Sequence, residues 1–297
     1  MSFKEYENCR LCARNCGVNR TVSTGFCKAT DEMYIARAAL HYWEEPPISG
    51  TNGSGTIFFS GCSLSCVFCQ NRDISRGRVG KTVKIDRLAD IMMNLQSKGA
   101  HNINFVTPTH FVPSIAESIK IARAKGLSVP IVYNTGSYDN LSTLKMLDGL
   151  VDVYLPDLKY FAPKTSAALS SAADYPIVAR AAIDEMVRQV GEPSFDRQGI
   201  MTRGVIVRIL LLPGHVAEAK LSLKYLMDTY GDKIYVSLMN QYTPMQGMRP
   251  PLDRKVTREE YYQLTDYAER LGLVNGFTQE FGTAEESFIP PFDNTGV

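Results

Sequence analysis

Thr56-Ile57-Phe58-Phe59-Ser60-Gly61-Cys62-Ser63-Leu64-Ser65-Cys66-Val67-Phe68-Cys69-Gln70-Asn71 is the stretch on which the reading of the chain turns. It opens as a short apolar run, the pattern of a buried strand. It closes on three cysteines spaced C-x₃-C-x₂-C. Cysteine thiolates hold iron–sulfur clusters, and a cubic cluster has four irons. Three thiolates leave one iron open to a substrate or a cofactor. A structural zinc wants four ligands in a closed tetrahedron, and no histidine stands near this loop to complete the set. A disulfide with a spare thiol does not suit a chain that reads as cytosolic. Cys62, Cys66 and Cys69 are therefore the expected 4Fe-4S ligands and the expected catalytic centre.

Outward from this stretch the pattern alternates strand and helix. Strand signals are Thr56–Ser60, Asn102–Val106, Val129–Tyr133, Val151–Leu155, Val205–Leu212 and Ile234–Met239, each short and mostly β-branched. Amphipathic segments lie between them. Leu88, Ile91, Met92 and Leu95 follow helical spacing behind Asp86 as the expected N-cap. Val112-Pro113-Ser114 opens a second helix, Asn140 to Leu147 a third, Val178 to Val190 a fourth and Ala219 to Tyr230 a fifth. Thr257-x-x-Glu260 is a capping box for the last. Six strand–helix units in series predict a parallel sheet with right-handed crossovers. A full barrel of this kind needs eight. The expected fold is α/β, a partial (β/α)₆ barrel open on one side, with a flat doubly wound sheet as the alternative. Both place a site at the carboxyl ends of the strands, where the cysteine loop falls.

Four more cysteines, Cys9, Cys12, Cys16 and Cys27, are spaced C-x₂-C-x₃-C-x₁₀-C. Four thiolates suit a structural zinc or a second iron–sulfur cluster. A small module without a core of its own needs a staple, which favours zinc. Residues 1–30 are thus a four-cysteine metal-binding module, 31–55 a connector, 56–285 the barrel and 286–297 a tail. The connector carries Trp43-Glu44-Glu45-Pro46-Pro47, too rich in proline for regular structure. Glu192 to Gly204, a long polar loop, and the apolar Phe288-Ile289-Pro290-Pro291-Phe292 are the expected lids of the site.

Lysine and arginine number 32 against 31 aspartates and glutamates. That balance offers no electrostatic surface for nucleic acid or membrane. No apolar run approaches the roughly 20 residues of a membrane span, and the N-terminus has no secretory pattern. The expectation is a cytoplasmic protein.

C-x₃-C-x₂-C with Phe68 before its last cysteine resembles the signature of the radical S-adenosylmethionine enzymes. Cys69-Gln70-Asn71-Arg72-Asp73 is similar to the Cys-His-Asn-Arg-Asp run of the pyruvate formate-lyase activating enzymes, with Gln70 in place of the histidine. Pro156-Asp157-Leu158-Lys159 matches their Asp-Leu-Lys, and Asn134-Thr135-Gly136 resembles their Asp-Thr-Asn-Gly. The resemblance runs from about Cys9 to about Pro244. It implies a 4Fe-4S cluster and S-adenosylmethionine, with Asn71, Asn134, Thr135, Asp157 and Lys159 as cofactor-binding residues; Thr107 and Thr109, whose oxygens follow the second strand, and Arg208, a charge inside the apolar fifth strand, are expected to join them. The family's acidic, glycine-rich stretch is absent after the second strand, where Thr107-Pro108-Thr109-His110 stands instead.

By the same resemblance, the open iron holds the amino and carboxylate groups of S-adenosylmethionine. One electron splits the cofactor to a 5′-deoxyadenosyl radical, which abstracts hydrogen from a substrate. An electron donor such as flavodoxin or ferredoxin is implied. The first expectation is an activase that makes a glycyl radical on a partner enzyme. The second is a radical enzyme acting on a small molecule or another peptide. A metal-binding or electron-carrier protein without catalysis is the third, and the polar strand ends argue against it.

Overall fold

The structure is a computed structural model describing residues 3–77, 79–280 and 289–297. Among the described residues ten strands occur in chain order: β1 Met33–His41, β2 Ser54–Phe59, β3 Lys81–Val83, β4 Ile103–Val106, β5 Ile131–Thr135, β6 Val153–Pro156, β7 Ser194–Phe195, β8 Met201–Leu210, β9 Tyr235–Met239 and β10 Gly276–Thr278. They form one sheet in the order β10-β9-β8-β6-β5-β4-β2-β1-β3, with β7 pairing off β8. Every pair from β2 to β10 along this path is parallel, while β1 runs antiparallel to β2 and to β3. The sheet curls without closing, a partial barrel as expected.

The period of two along each strand sorts the residues between its faces. Ile57, Phe59, Phe105, Tyr133, Tyr154, Val205 and Val207 pack outward into the main core under the helices. Ser54, Asn104, Val132, Asn134, Val153, Ile206, Arg208 and Ser237 fall on the alternate, inner face. Ile48, fully buried, packs there on Val132, Val153, Leu155, Met201 and Ile206. It sits on the short helix Pro46–Ser49, so the proline-rich stretch read as a plain connector is a plug in the barrel. Pro46 at the first helical position suits a turn whose N–H has no partner. Residues 33–41, in the same supposed connector, are β1.

Other expectations are corrected. Lys84, extended, precedes the helix Ile85–Ser97; Asp86 lies inside its first turn, where an acid favours the helix dipole. The segment before the fourth expected helix holds a further one, Pro163–Ser170. Residues 192–204 are no lid. They form the β7–β8 hairpin, whose Asp196 accepts the backbone N–H groups of Gln198 and Ile200. This hairpin precedes β8, so it lies at the end of the sheet opposite the cysteine loop. The tail does cover the open side. Phe292 packs on Phe58 at 5.4 Å between ring centroids, and Asn294 N and Ala38 N bond Ala36 O and Thr295 O across β1. Phe288 lies outside the described residues.

If Ile48 is the plug, Ile48→Ala should cost about 2–4 kcal/mol, the range for emptying a packed core position. Urea unfolding checks this. A loss below about 1 kcal/mol would mean the site collapses freely and the plug reading is wrong.

Candidate functional site

The cysteine loop leaves β2 through Gly61, at φ +92°. A Cβ there would stand 2.6 Å from Cys27 O and 3.0 Å from His110 Nε2. Only glycine lets the N-terminal module and the loop meet backbone to backbone. His110 is buried and donates from Nε2 to Ser60 O at 2.8 Å. Burial, then the neighbouring Arg20, holds its pKa down to about 3. It is a neutral tether of the strand end, not an acid or base. Phe68 fixes the far side of the loop with edge contacts to Tyr160 and Tyr242.

The loop is braced from two directions. Val67 N bonds Leu169 O at 2.9 Å, and Ser170 Oγ donates to Cys66 Sγ at 2.9 Å while Tyr160 O–H lies 2.6 Å from Ser170 Oγ. Arg14, from the N-terminal module, donates to Ser63 O, Ser170 O and Ser171 O. One guanidinium thus ties the module, the loop and the helix Pro163–Ser170 together. Burial pushes the Cys62 and Cys66 thiols up; Lys159 opposes this at both. The three thiols of the loop share one electrostatic neighbourhood.

Inside the barrel, Arg208 on β8 is the hub. Its Nε bonds Asp157 Oδ1 at 2.8 Å, Nη2 bonds Asn134 Oδ1 at 2.6 Å, and Nη1 lies 3.5 Å from Glu44 Oε2. Lys159 Nζ bonds the other oxygen of Asp157 at 2.5 Å. Burial works against the charge of Asp157, yet Arg208 and Lys159 hold its carboxyl below the usual range. Burial likewise opposes the charge on Lys159, but Asp157 and then Cys66 raise its pKa. Gly136 makes room for this joint: a Cβ there would meet Leu64 at 3.1 Å and Lys159 Cε at 3.6 Å. Asn134, Asp157, Lys159 and Arg208 are therefore brought together beside the cysteine loop.

The other expected cofactor residues are placed differently. Thr135 donates to buried Asp139 at 2.7 Å, Tyr133 does so at 2.8 Å, and Thr109 stands 3.5 Å from Thr135. This is a separate structural network on the outer face, and it does not join the Arg208 group. Thr107 takes a left-handed backbone (φ +58°) and its N–H bonds Asn134 O. Asn71 precedes the short helix Arg72–Ser75, its carbonyl accepting from Ser75 N. In the N-terminal module, Cys16 and Cys27 face Gly25, whose Cβ would lie 3.5 and 3.4 Å from their sulfurs. Cys9 and Cys12 belong to the same electrostatic group. Arg20, fully buried, brings Nη1 to 3.7 Å from Cys9 Sγ. Burial pushes the Cys12 thiol up to about 12.

Among the described residues no three histidine, cysteine, aspartate or glutamate side chains stand in metal-holding geometry. The fit of a metal group rests on the donors instead. All seven cysteines are free thiols, soft donors suited to iron–sulfur clusters or zinc. A hydroxyl and an ammonium offset thiolate charge at the three-cysteine loop, and a guanidinium does so at the four-cysteine site. The residues present fit both groups.

Sequence reasoning missed Glu44 and Glu45. Glu44 Oε1 accepts from Asn104 Nδ2 at 3.1 Å and from Asn134 Nδ2 at 3.4 Å. Glu45 is 7% exposed, and its Oε2 has no partner. The signal was an acid pair pinned between Trp43 and Pro46-Pro47, a pattern that solvated linkers share.

Two tests follow from this geometry. Arg14→Ala removes the shared brace, so alkylation of Cys62, Cys66 and Cys69 in metal-free protein should speed up several-fold by mass spectrometry; an unchanged rate would deny the brace. Burial, opposed by Arg208 and assisted by Glu44, pushes Glu45 from 4.5 up to about 7. The folded state then binds more protons than the unfolded one, and stability falls as pH rises through that window. Glu45→Gln should exceed the parent in stability at pH 8 by on the order of 1–3 kcal/mol, with the gap closing below pH 4.5. Urea unfolding across pH checks it, and a gap independent of pH would show an ordinary carboxylate.

The profile of the Radical SAM superfamily matches residues 56–218. An uncharacterized protein of Methanocaldococcus jannaschii is 29% identical over 279 residues, covering 90% of this chain and 76% of that protein. A radical SAM methyltransferase from Sphaerobacter thermophilus has a similar structure, with a TM-score of 0.51 and 15% identity over 75% of this chain and 66% of that one. Streptococcus suis SuiB bound to S-adenosylmethionine matches with a TM-score of 0.50 and 16% identity over 73% of this chain. The chain spans about half the length of SuiB, 48%, and at these identities both likenesses are of fold. The superfamily profile covers more than half of the chain and includes its three-cysteine loop. The chain belongs to the Radical SAM superfamily.

Proposed function

We propose that Cys62, Cys66 and Cys69 hold the 4Fe-4S cluster and that Asn134, Asp157, Lys159 and Arg208 shape the place beside it where S-adenosylmethionine binds. The cluster and its cofactor together supply a carbon radical able to abstract hydrogen. The observation carrying this reading is Lys159. It is bonded to Asp157 at 2.5 Å, it favours the thiolate of Cys66 against burial, and at Gly136 it comes up beside Leu64 of the loop, so one side chain joins the strand-end network to the cysteine loop. Arg208 and Lys159 offer donors for a carboxylate or ribose, and Asn134 offers an amide. Ser170 steadies Cys66. Phe68, buried between Tyr160 and Tyr242, anchors the loop from below.

Hydrogen abstraction from a glycine of a partner enzyme is the first assignment, carried by the similarity of Cys69 to Asp73 and of Pro156 to Lys159 to the activating enzymes. A second reading, a small molecule or another peptide, is favoured by the part-buried polar group that Arg208 gathers from Asp157, Asn134 and Glu44. Under either one, the N-terminal cysteines hold zinc or a second cluster, and an external one-electron donor such as flavodoxin or ferredoxin serves the three-cysteine loop.

Anaerobically reconstituted protein with dithionite and S-adenosylmethionine should release 5′-deoxyadenosine. Cys66→Ala should abolish the release, and Lys159→Ala should lower it at least tenfold. Metal analysis should give about four irons and one zinc, or about eight irons if the N-terminal site is a cluster. Zinc without iron would sink the reading. Deuterium passing from a labelled glycine peptide into 5′-deoxyadenosine would select the activase; its absence, with product still formed, would select the second reading.

A further inference from the structure

The helix Pro163–Ser170 ends against the cysteine loop. Carbonyls in the last turn of a helix have no partner within it. Here the loop supplies them: Val67 N bonds Leu169 O at 2.9 Å, and Ser65 N bonds Ser170 O at 3.4 Å. Arg14 Nη2 adds a bond to Ser170 O at 3.2 Å. The backbone N–H groups on either side of Cys66 are therefore spent on the helix. Cys62 differs, since Leu64 N turns toward its sulfur at 3.4 Å. At Cys66 a side chain is the donor: Ser170 Oγ stands 2.9 Å from the sulfur.

Proton counting fixes the direction of the chain behind it. A ligating thiolate has no proton, so Ser170 can only donate to it. A serine hydroxyl has one hydrogen, so the 2.6 Å bond between Tyr160 and Ser170 is donated by Tyr160. Two O–H groups then point in series at one sulfur, and hydrogen bonds in series polarise one another. Both side chains are buried, Ser170 completely, so water does not compete for either bond. Tyr160 is itself wedged between Phe68 and Tyr175, at 6.4 and 5.4 Å between ring centroids.

Hydrogen bonds to the sulfurs are among the factors that set the reduction potential of an iron–sulfur cluster. Reduction adds one negative charge, and a more negative sulfur accepts more strongly. A donor held at that sulfur therefore favours the reduced form. We propose that Ser170, backed by Tyr160, raises the reduction potential of the cluster through its bond to Cys66. Ser170 is a positioning residue that touches no reacting atom and acts through the ligand. The inference rests on the reading of Cys62, Cys66 and Cys69 as cluster ligands, and it adds the residue that decides how readily their cluster accepts an electron.

The test is a redox titration of the anaerobically reconstituted full chain, followed by electron paramagnetic resonance. The signal that S-adenosylmethionine perturbs is that of the cluster with an open iron. Ser170→Ala should move the one-electron equilibrium at least threefold toward the oxidised form, about 28 mV lower at 59 mV per tenfold. Tyr160→Phe should move it about twofold in the same direction, and it carries the test if Ser170→Ala does not fold. A merely structural role predicts the opposite sign. A loosened loop admits water, and solvent favours the more charged, reduced form. A higher potential in Ser170→Ala, or an unchanged potential in both variants with the cluster in place, would overturn the proposal. A parent protein that takes up no iron would remove the reading of the loop itself, and the proposal with it, before any variant is compared.

Discussion

Arg208 is the constraint on which the inner architecture depends. A guanidinium on the inner face of an apolar strand must be satisfied where it stands, and its fork takes Asp157, Asn134 and Glu44 from three directions. Each partner comes from a different element, so the ion group sets the relative positions of β5, β6, β8 and the plug segment. Removing one member leaves an uncompensated buried charge, far costlier than losing a surface pair. The same group opens on the cysteine loop through Lys159. Fold and site are thus held by one set of interactions, and a change at either reaches the other.

The sheet stays open, and its interior and free side are covered by segments other than its main helices. The helix Pro46–Ser49 fills the lumen from one side with Ile48, and the tail seals the free edge of β1 with Phe292. Such sealing matters because an open sheet presents unpaired backbone groups and apolar side chains. A dry interior also strengthens each charge interaction within it, which is why the short polar contacts around Arg208 shift the ionisation of their members.

Much of this was legible in the sequence, for identifiable reasons. The parallel strands β2, β4, β5, β6, β8 and β9 are apolar enough to be read by period alone, and the capping box at Thr257 and Glu260 appears as expected. Asp157, Lys159 and Arg208 stood out because charge inside an apolar run demands an explanation. What escaped lay where local pattern and tertiary role part. Glu44 and Glu45 look like linker residues until β1 and β2 are seen to hold them under the barrel. Thr109 and Thr135 read as neighbours of Asn134 in sequence, yet the alternation of the strand sets them beside Asp139 on its other face. The hairpin at 194–201 reads as a lid because chain order does not say which end of a strand a loop joins until the strand is located.

The contact of Gly61 with Cys27 O has a consequence for the order in which the molecule is assembled. The N-terminal module has only a small core of its own around Tyr6, Cys9 and Leu11; Arg14 donates to Ser63 O, Ser170 O and Ser171 O, and Arg20 reaches the barrel at His110 O. Synthesis delivers the first four cysteines well before those partners. Until the barrel exists they are four thiols on a loose strand of chain, open to any soft metal. The two sets of thiols therefore reach their folded surroundings at different times, the first emerging well before the barrel that braces it, the second together with the strand end that carries it.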